Sequence, residues 1–324
     1  MSVIDDSLVV SATEQTLAGA AVGRRRRKQA PDKERGVISV ADRRRPTVRA
    51  WMWVIQILIF VGLVVAGLGP LVWSAKASIS ASQAIISNPM GIFFTPNQWD
   101  NFAKAWNGAQ IGPDLGNTAF LAIGSTIATL FVSGTGAYLL SVLRPKWGPV
   151  LNGAILATLF LPGIISLVPL YLTVLKLPVV GVSLQNTFWA VWLPAGASAF
   201  NVIVLKNFFD SIPRELIEAA KIDGAGPIRV LTRVVLPLSH PIIGVVALLT
   251  IVASWKDYLW PMLVLTDPKL QPVSVALPTL AKGPTPFAVQ MAAVFLTIII
   301  PVILFAIFQK QFLRGVGTAG GVKG

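Results

Sequence analysis

Apolar residues in this 324-residue chain gather in six blocks separated by shorter polar segments. A helix needs about 20 mostly apolar residues to cross roughly 30 Å of hydrocarbon, and each block is at least that long. The blocks run over about Ala50–Trp73, Leu115–Leu143, Val150–Leu175, Asn186–Phe208, Pro241–Leu263 and Val289–Phe308. This pattern predicts an all-α integral membrane protein with six transmembrane helices over residues 50–309. A basic tail (1–49) precedes them, and a Gly-rich tail (310–324) follows; disorder is predicted for the first and, by composition, for Gly315–Gly324 of the second. Breakers fall inside several blocks, among them Pro162, Gly163 and Pro169 in the third, Pro194 and Gly196 in the fourth, and Pro301 in the sixth. They persist in membrane helices where neighbours satisfy the freed backbone groups. Gly124, Ser125, Gly134 and Gly136 in the second block allow close helix packing.

Composition agrees with the pattern. The chain is 54% hydrophobic and 13% charged, with a mean hydropathy of +0.70, where a soluble domain carries about a quarter charged residues. That excludes an ordinary cytosolic or secreted enzyme, and the hydrophobic content excludes a disordered chain. A net charge of +13 suggests nucleic acid until the charges are located. Residues 1–50 hold 11 of the 27 Lys and Arg, including Arg24–Lys28 and the cluster Arg43, Arg44, Arg45 and Arg49. They stop where the first block begins, as a topology signal does, and they can also meet anionic lipid headgroups. With six spans, 21 basic residues lie on the side of the termini and six on the other; without the tail the ratio is ten to six. Both termini are therefore predicted to be cytoplasmic, and no nucleic-acid partner is expected. The absence of Cys excludes thiol catalysis, Cys-ligated metals and disulfides. Met1–Glu14 carries Asp5 and Asp6 and no apolar core, so no cleavable signal peptide is expected there.

Two polar connections carry more than length. Between the first two spans, Asn97–Trp106 is predicted as a short surface helix with Trp99, Phe102, Ala103 and Trp106 on one face, either an interfacial anchor or a landing place for an external partner. Between the fourth and fifth spans, residues 210–237 read as two short helices with a hinge. Ser211 and Pro213 suit a helix start, and Glu215 suits the same end through the helix dipole. Leu216, Ala219, Ala220 and Asp223 follow at helical spacing, with two small residues making a flat face. Gly224 stops the first helix by taking positive φ; Pro227 opens a second, which Pro237 ends.

Glu218-Ala-Ala-Lys-Ile-Asp-Gly224 followed by Leu236-Pro237 resembles the EAA motif of binding-protein-dependent ABC importer permeases. Ile212-Pro213-Arg-Glu-Leu-Ile-Glu-Ala-Ala, Trp255-Lys-Asp-Tyr-Leu-Trp-Pro261 and the end from Gln311 to Gly324 resemble the carbohydrate, maltose-transporter-like branch. The resemblance covers about residues 50–324. It implies an ABC permease fold in a prokaryotic cytoplasmic (inner) membrane, with a homologous second permease, two ATPase subunits and an extracytoplasmic substrate-binding protein as partners. It also implies that Glu218, Ala219, Ala220, Asp223 and Gly224 couple the spans to the ATPases. Cofactors are expected only in those partners, as ATP and Mg, because the chain has no Gly-x-x-x-x-Gly-Lys-Ser/Thr phosphate loop. The chain itself is expected to be a transport subunit and not an enzyme. The single His240 has no partners for a metal site, and none is expected.

A carbohydrate is held by aromatic faces and by groups that bond hydroxyls. Trp255, Asp257 and Tyr258 at the end of the fifth block, Asn117 at the start of the second and Gln185 before the fourth are the candidates for a substrate path. Interfacial anchoring of the aromatics and capping of helices by the amides are the alternatives. A polyol, a glycerophosphate or another small solute fits the same machinery. An ion-coupled transporter would need ionisable groups near mid-span, and no block has one near its centre.

Overall fold

The computed structural model describes residues 46–91 and 97–320, with 310–320 as backbone only. The expectations for the tail up to residue 45 lie outside the described residues. Fifteen α-helices and no strand are found among the described residues. The chain divides into two compact units, residues 1–66 and 67–324. Of the first, the described part is the leading portion of α1 (Pro46–Ser78). Trp51, Leu58, Phe60 and Leu63 there are each about two-thirds exposed, and such a helix is stable only where hydrocarbon replaces water.

The second unit is arranged around α4 (Ile111–Tyr138), which a π-helical turn extends to Leu143. Helices α7 (Trp189–Gly196), α8 (Ala199–Asp210), α12 (His240–Lys256) and α14 (Val273–Lys282) all pack on it. The pattern of α4 inverts that of a soluble helix. Thr118, Ala122, Ser125, Thr129, Ser133 and Ala137 recur every three or four residues on the buried face, while Phe120, Ile123, Ile127 and Phe131 are at least half exposed. Small side chains inside let backbones approach; large apolar ones face lipid. Further apolar cores close the two ends. One gathers Tyr138, Leu205, Phe209, Ile217, Val230 and Val246 beneath the loop after α8. The other gathers Ala105, Ile111, Leu115, Trp255, Val273 and Ala292.

By length and composition, three helices can span a membrane, or up to six if each of three bent pairs is one span. The breakers thus do more than interrupt hydropathy. The third block is not straight: α5 (Gly148–Thr158) and residues 163–175, which end in α6 (Leu167–Leu175), are bent by 103°, at the point where Pro162 and Gly163 end the ladder. Helices α7 and α8 are bent by 44°. The fifth block ends earlier than its hydropathy predicts. Helix α12 stops at Lys256, and α13 (Leu259–Val264) is a separate element, because Pro261 has no N–H to offer the Asp257 carbonyl. The Ser274 hydroxyl donates to that carbonyl instead, at 2.6 Å. The last helix, α15 (Phe287–Gly320), continues through residues predicted as tail.

The segment before α4 differs from its predicted face. It forms α3 (Asp100–Ala103) and a π-helical turn, Lys104–Gly108, whose wider turn shifts the register. Asn101 and Ala105 are buried, whereas Trp99 is 65% and Trp106 46% exposed. The Asn101 amide donates to the Ser78 and Ser80 carbonyls, at 2.9 and 3.0 Å. One side chain thereby ties this segment to the end of α1. Asn101→Leu leaves two buried carbonyls without that donor and is expected to cost about 1–3 kcal/mol, read as a lower unfolding temperature of the detergent-solubilised protein against an exposed Asn107→Leu control.

Candidate functional site

The hydroxyl row of α4 meets the break between α7 and α8. Pro194 and Gly196 end α7, and Ser198 caps α8 by accepting from the Asn201 N–H at 3.4 Å. The break frees carbonyls that hydrocarbon cannot satisfy. Thr129 donates to the Ala195 carbonyl at 2.9 Å, and Ser133 to that of Gly196 at 3.2 Å. Gly196 is required by this close approach: a Cβ there would meet Val132 Cγ2 at 3.1 Å and the Ala128 carbonyl at 3.2 Å.

Beside the break is a cavity of about 760 Å³, bounded by α4, α7, α8 and α12. Its polar lining is Ser125, Thr129, Ser198, Asn201, Thr250 and Ser254, with Lys256, Asp257 and Trp260 also on the wall. Ser125 Oγ is itself buried and has no hydrogen-bond partner among the described residues. Asp257 Oδ1 accepts from the Trp260 N–H at 3.4 Å, and the Trp260 indole donates to the Ala190 carbonyl at 3.0 Å, which fixes the ring. Hydroxyls, an amide and an aromatic face can bond and cover a polyhydroxylated solute.

Of the five residues predicted for a substrate path, Asp257 lines this cavity. The others lie elsewhere. Asn117 donates to the Lys269 and Gln271 carbonyls, at 2.8 and 3.1 Å, and so fastens α4 to a distant turn. Trp255 is 7% exposed in an apolar core, its indole donating to the Thr297 carbonyl at 3.3 Å. Tyr258 is exposed. Gln185 is half-buried just before Asn186, whose side chain bonds Thr266 and the Asp267 N–H. Ser125, Thr129, Asn201 and Thr250 were not singled out for the path from sequence. Their one signal is polar side chains, three hydroxyls and one amide, within apolar runs.

The loop after α8 places its predicted residues together. Helix α9 (Arg214–Ile222) follows Pro213. Ser211 does not open it, because its hydroxyl donates back to the Phe208 carbonyl at 2.6 Å. Gly224 has φ +79° and ends α9 as its sequence predicts. The second arm, α10 (Pro227–Val230), a π-helical turn and α11 (Leu236–Leu238), continues past Pro237 and meets α12 at 81°. Ile212, Ile217 and Val230 are buried and hold the loop down. Glu218, Ala219, Asp223 and Gly224 are exposed, Ala220 is half-buried, and Leu216 and Ile222 are exposed apolar neighbours. Glu218 makes no ion pair among the described residues.

Two ties fix the base of the loop. The Tyr138 hydroxyl donates to the Pro227 carbonyl at 2.8 Å. Asp210 accepts from Ser141 at 2.8 Å and pairs with Lys206 at 2.7 Å and Arg144 at 3.4 Å. His240 is exposed at the hinge before α12, with Nδ1 2.6 Å from the Pro237 carbonyl.

A helical bundle with broken spans, a cavity between helices and an exposed loop helix is an architecture suited to a membrane permease. The chain belongs to the binding-protein-dependent transport system inner membrane components, whose family pattern matches residues 134–317. It is thus a permease component of an ABC transport system. It is 29% identical over 269 residues to the "sn-glycerol-3-phosphate transport system permease protein UgpE" of Yersinia pestis, covering 80% of this chain and 94% of that one. It is 30% identical over 298 residues to the "Probable ABC transporter permease protein YurM" of Bacillus subtilis, covering 89% and 94%. A chain from a bacterial ABC transporter involved in the import of the acidic polysaccharide alginate has the same fold, with a TM-score of 0.70, 24% identity, and coverage of 82% and 98%.

The two kinds of hydroxyl on α4 should respond differently to substitution. Thr129→Val strands the Ala195 carbonyl and is expected to cost about 1–3 kcal/mol. Thr126→Val should cost under about 1 kcal/mol, because Thr126 only doubles a bond to Ala122 within its own helix. Thermal unfolding of the two variants in one detergent checks the difference.

Proposed function

We propose that this permease forms the path for a sugar through the cytoplasmic membrane of a prokaryote and couples it to ATP hydrolysis by partner subunits. The observation that carries the cargo reading is the cavity beside the α7–α8 break, where hydroxyls, the Asn201 amide and the Trp260 ring offer contacts suited to a neutral polyhydroxylated solute. Lys256 on the wall is the one feature that favours the second reading, a glycerophosphate, and Asp257 beside it opposes that charge. The named relatives do not favour a neutral cargo, one belonging to a glycerol phosphate system and one to an importer of the acidic polysaccharide alginate.

In this reading the exposed face of α9 docks on a cytoplasmic ATPase. Ala219 and Ala220 allow close approach, Glu218 and Asp223 offer unpaired charge, and Gly224 sets the turn. Leu216 and Ile222, exposed and apolar, would be covered by that partner. A second, homologous permease completes the channel, two ATPase subunits bind ATP and Mg, and an extracytoplasmic binding protein delivers the cargo; one solved relative is a complex with a substrate-bound periplasmic protein. The charge bias of the connections supports cytoplasmic termini. This chain performs no hydrolysis of its own.

Uptake by proteoliposomes of the transporter and its binding protein is expected for a labelled neutral oligosaccharide and to persist in millimolar glycerol 3-phosphate. Uptake of the phosphate instead would overturn the sugar reading. Gly224→Val places a β-branched residue in left-handed backbone, at about 1–2 kcal/mol of local strain. Cargo-stimulated ATP hydrolysis should fall at least several-fold while the complex still assembles. Unchanged stimulation and uptake would refute the coupling role.

A further inference from the structure

Neither the cavity nor the loop helix accounts for a buried carboxylate at the far end of α4. Asp114 stands in the first turn of that helix and is 7% exposed. Its carboxylate makes no hydrogen bond and no ion pair among the described residues. The oxygens are nevertheless not sealed within the protein: the residue forms part of the wall of a pocket of about 500 Å³, between the start of α4, the turn before α14 and the end of α14. A buried charge is costly unless it is paired, so a partner for Asp114 is missing from the isolated chain.

The rest of the wall is also suited to a donor. The Gln110 and Gln271 amides donate to the Asn107 and Leu265 carbonyls, at 2.7 and 3.2 Å, which leaves both amide oxygens able to accept. Thr279 and Leu280, in the last turn of α14, line the pocket, and the carbonyl end of a helix carries partial negative charge. Lys269 is on the rim, exposed and without an ion pair among the described residues. Its backbone is held in place, the N–H by Asp267 at 2.9 Å and the carbonyl by Asn117 at 2.8 Å. No group of three His, Asp or Glu able to hold a metal ion occurs among the described residues, so the fitting ligand is an organic cation.

Position indicates the source of that cation. Asp114 precedes Tyr138 by 24 residues of one helix, about 36 Å, and Tyr138 is tied to the loop that carries α9. The pocket therefore opens on the side of the membrane opposite the ATPases. Leu280 is the one large apolar side chain among its lining residues, and it is half-buried, so the mouth faces water and not acyl chains. A small cation held there by one carboxylate would gain little. A docking protein excludes water around the same pair and strengthens it. We propose that the pocket receives a basic side chain of the extracytoplasmic binding protein, whose cationic head pairs with Asp114. The proposal rests on the importer reading and adds a point of attachment to it.

The assembled transporter in nanodiscs is titrated with its cargo-loaded binding protein by biolayer interferometry. Asp114→Asn should raise the Kd about ten-fold, chiefly through faster dissociation. It should not lower the unfolding temperature, because the charge it removes has no partner within the chain. Lys269→Gln should leave the Kd unchanged or lower it, since it takes a like charge from the rim. Equal weakening by both variants would mean that Lys269 turns in to pair with Asp114, and would overturn the proposal. An unchanged Kd in Asp114→Asn, or a lower unfolding temperature, would do the same. Among Arg→Ala and Lys→Ala variants of the binding protein, one should weaken binding to the wild-type transporter but not to Asp114→Asn; finding none counts against the pair. Spermidine bound by the transporter alone and lost with Asp114→Asn would assign the pocket to a free cation and refute docking. Cargo uptake by the wild type is measured in the same preparation. Its absence would sink the importer reading, whereas intact uptake with an unaffected Asp114→Asn sinks this proposal alone.

Discussion

A backbone carbonyl released inside hydrocarbon has no water to turn to, and the arrangement of this bundle follows from that constraint. Breaking α7 at Pro194–Gly196 exposes the carbonyls of Ala195 and Gly196. Thr129 and Ser133 answer them from α4, which requires the two helices to lie almost in backbone contact. Close contact in turn requires Gly196 and the small residues of the α4 face. The same hydroxyl row, continued to Ser125, supplies part of the wall of the cavity. A structural remedy for a broken helix thus supplies the polar groups from which a solute path can be made.

The elements that sequence pattern revealed are those fixed by local or one-dimensional rules. The six apolar blocks follow from the thickness of a bilayer, and the turn at Gly224 follows from the freedom of one residue to take positive φ. The motif ending at Gly224 also made the family legible. What depends on distant neighbours was not legible. Pro162–Gly163 and Pro194–Gly196 look alike as breakers, yet one site bends the chain by 103° and the other by 44°, and at the second the freed carbonyls accept from hydroxyls of α4. Trp255 reads as an interfacial aromatic until the structure buries it against Thr297, 42 residues away. Asn117 reads as a cap, but its amide fastens a turn more than 150 residues distant. The cavity-lining hydroxyls were hidden for a simpler reason: Ser and Thr within an apolar run barely alter its hydropathy.

The base of the loop adds a mechanical link. Asp210 joins the end of α8 to the end of α4 through Ser141, Lys206 and Arg144, and Tyr138 joins α4 to the start of α10. Short, directional bonds on either side of α9, as well as the apolar core beneath, therefore connect the loop to α4. Helix α4 also bears part of the cavity, so the base of the loop and the cavity share one element.

The inverted face of α4 has a consequence for how such a chain can diverge. Ile123, Ile127 and Phe131 are more than half exposed, and an apolar face turned to hydrocarbon has no fixed shape to match, so many apolar residues can replace one another there. The inward row of Ser, Thr, Ala and Gly meets fixed atoms at fixed distances and tolerates few exchanges. Relatives drifting apart over long times can therefore keep the same hydropathy profile while sharing few of its bulky residues, and the inheritance that maintains the bundle is carried by its smallest side chains.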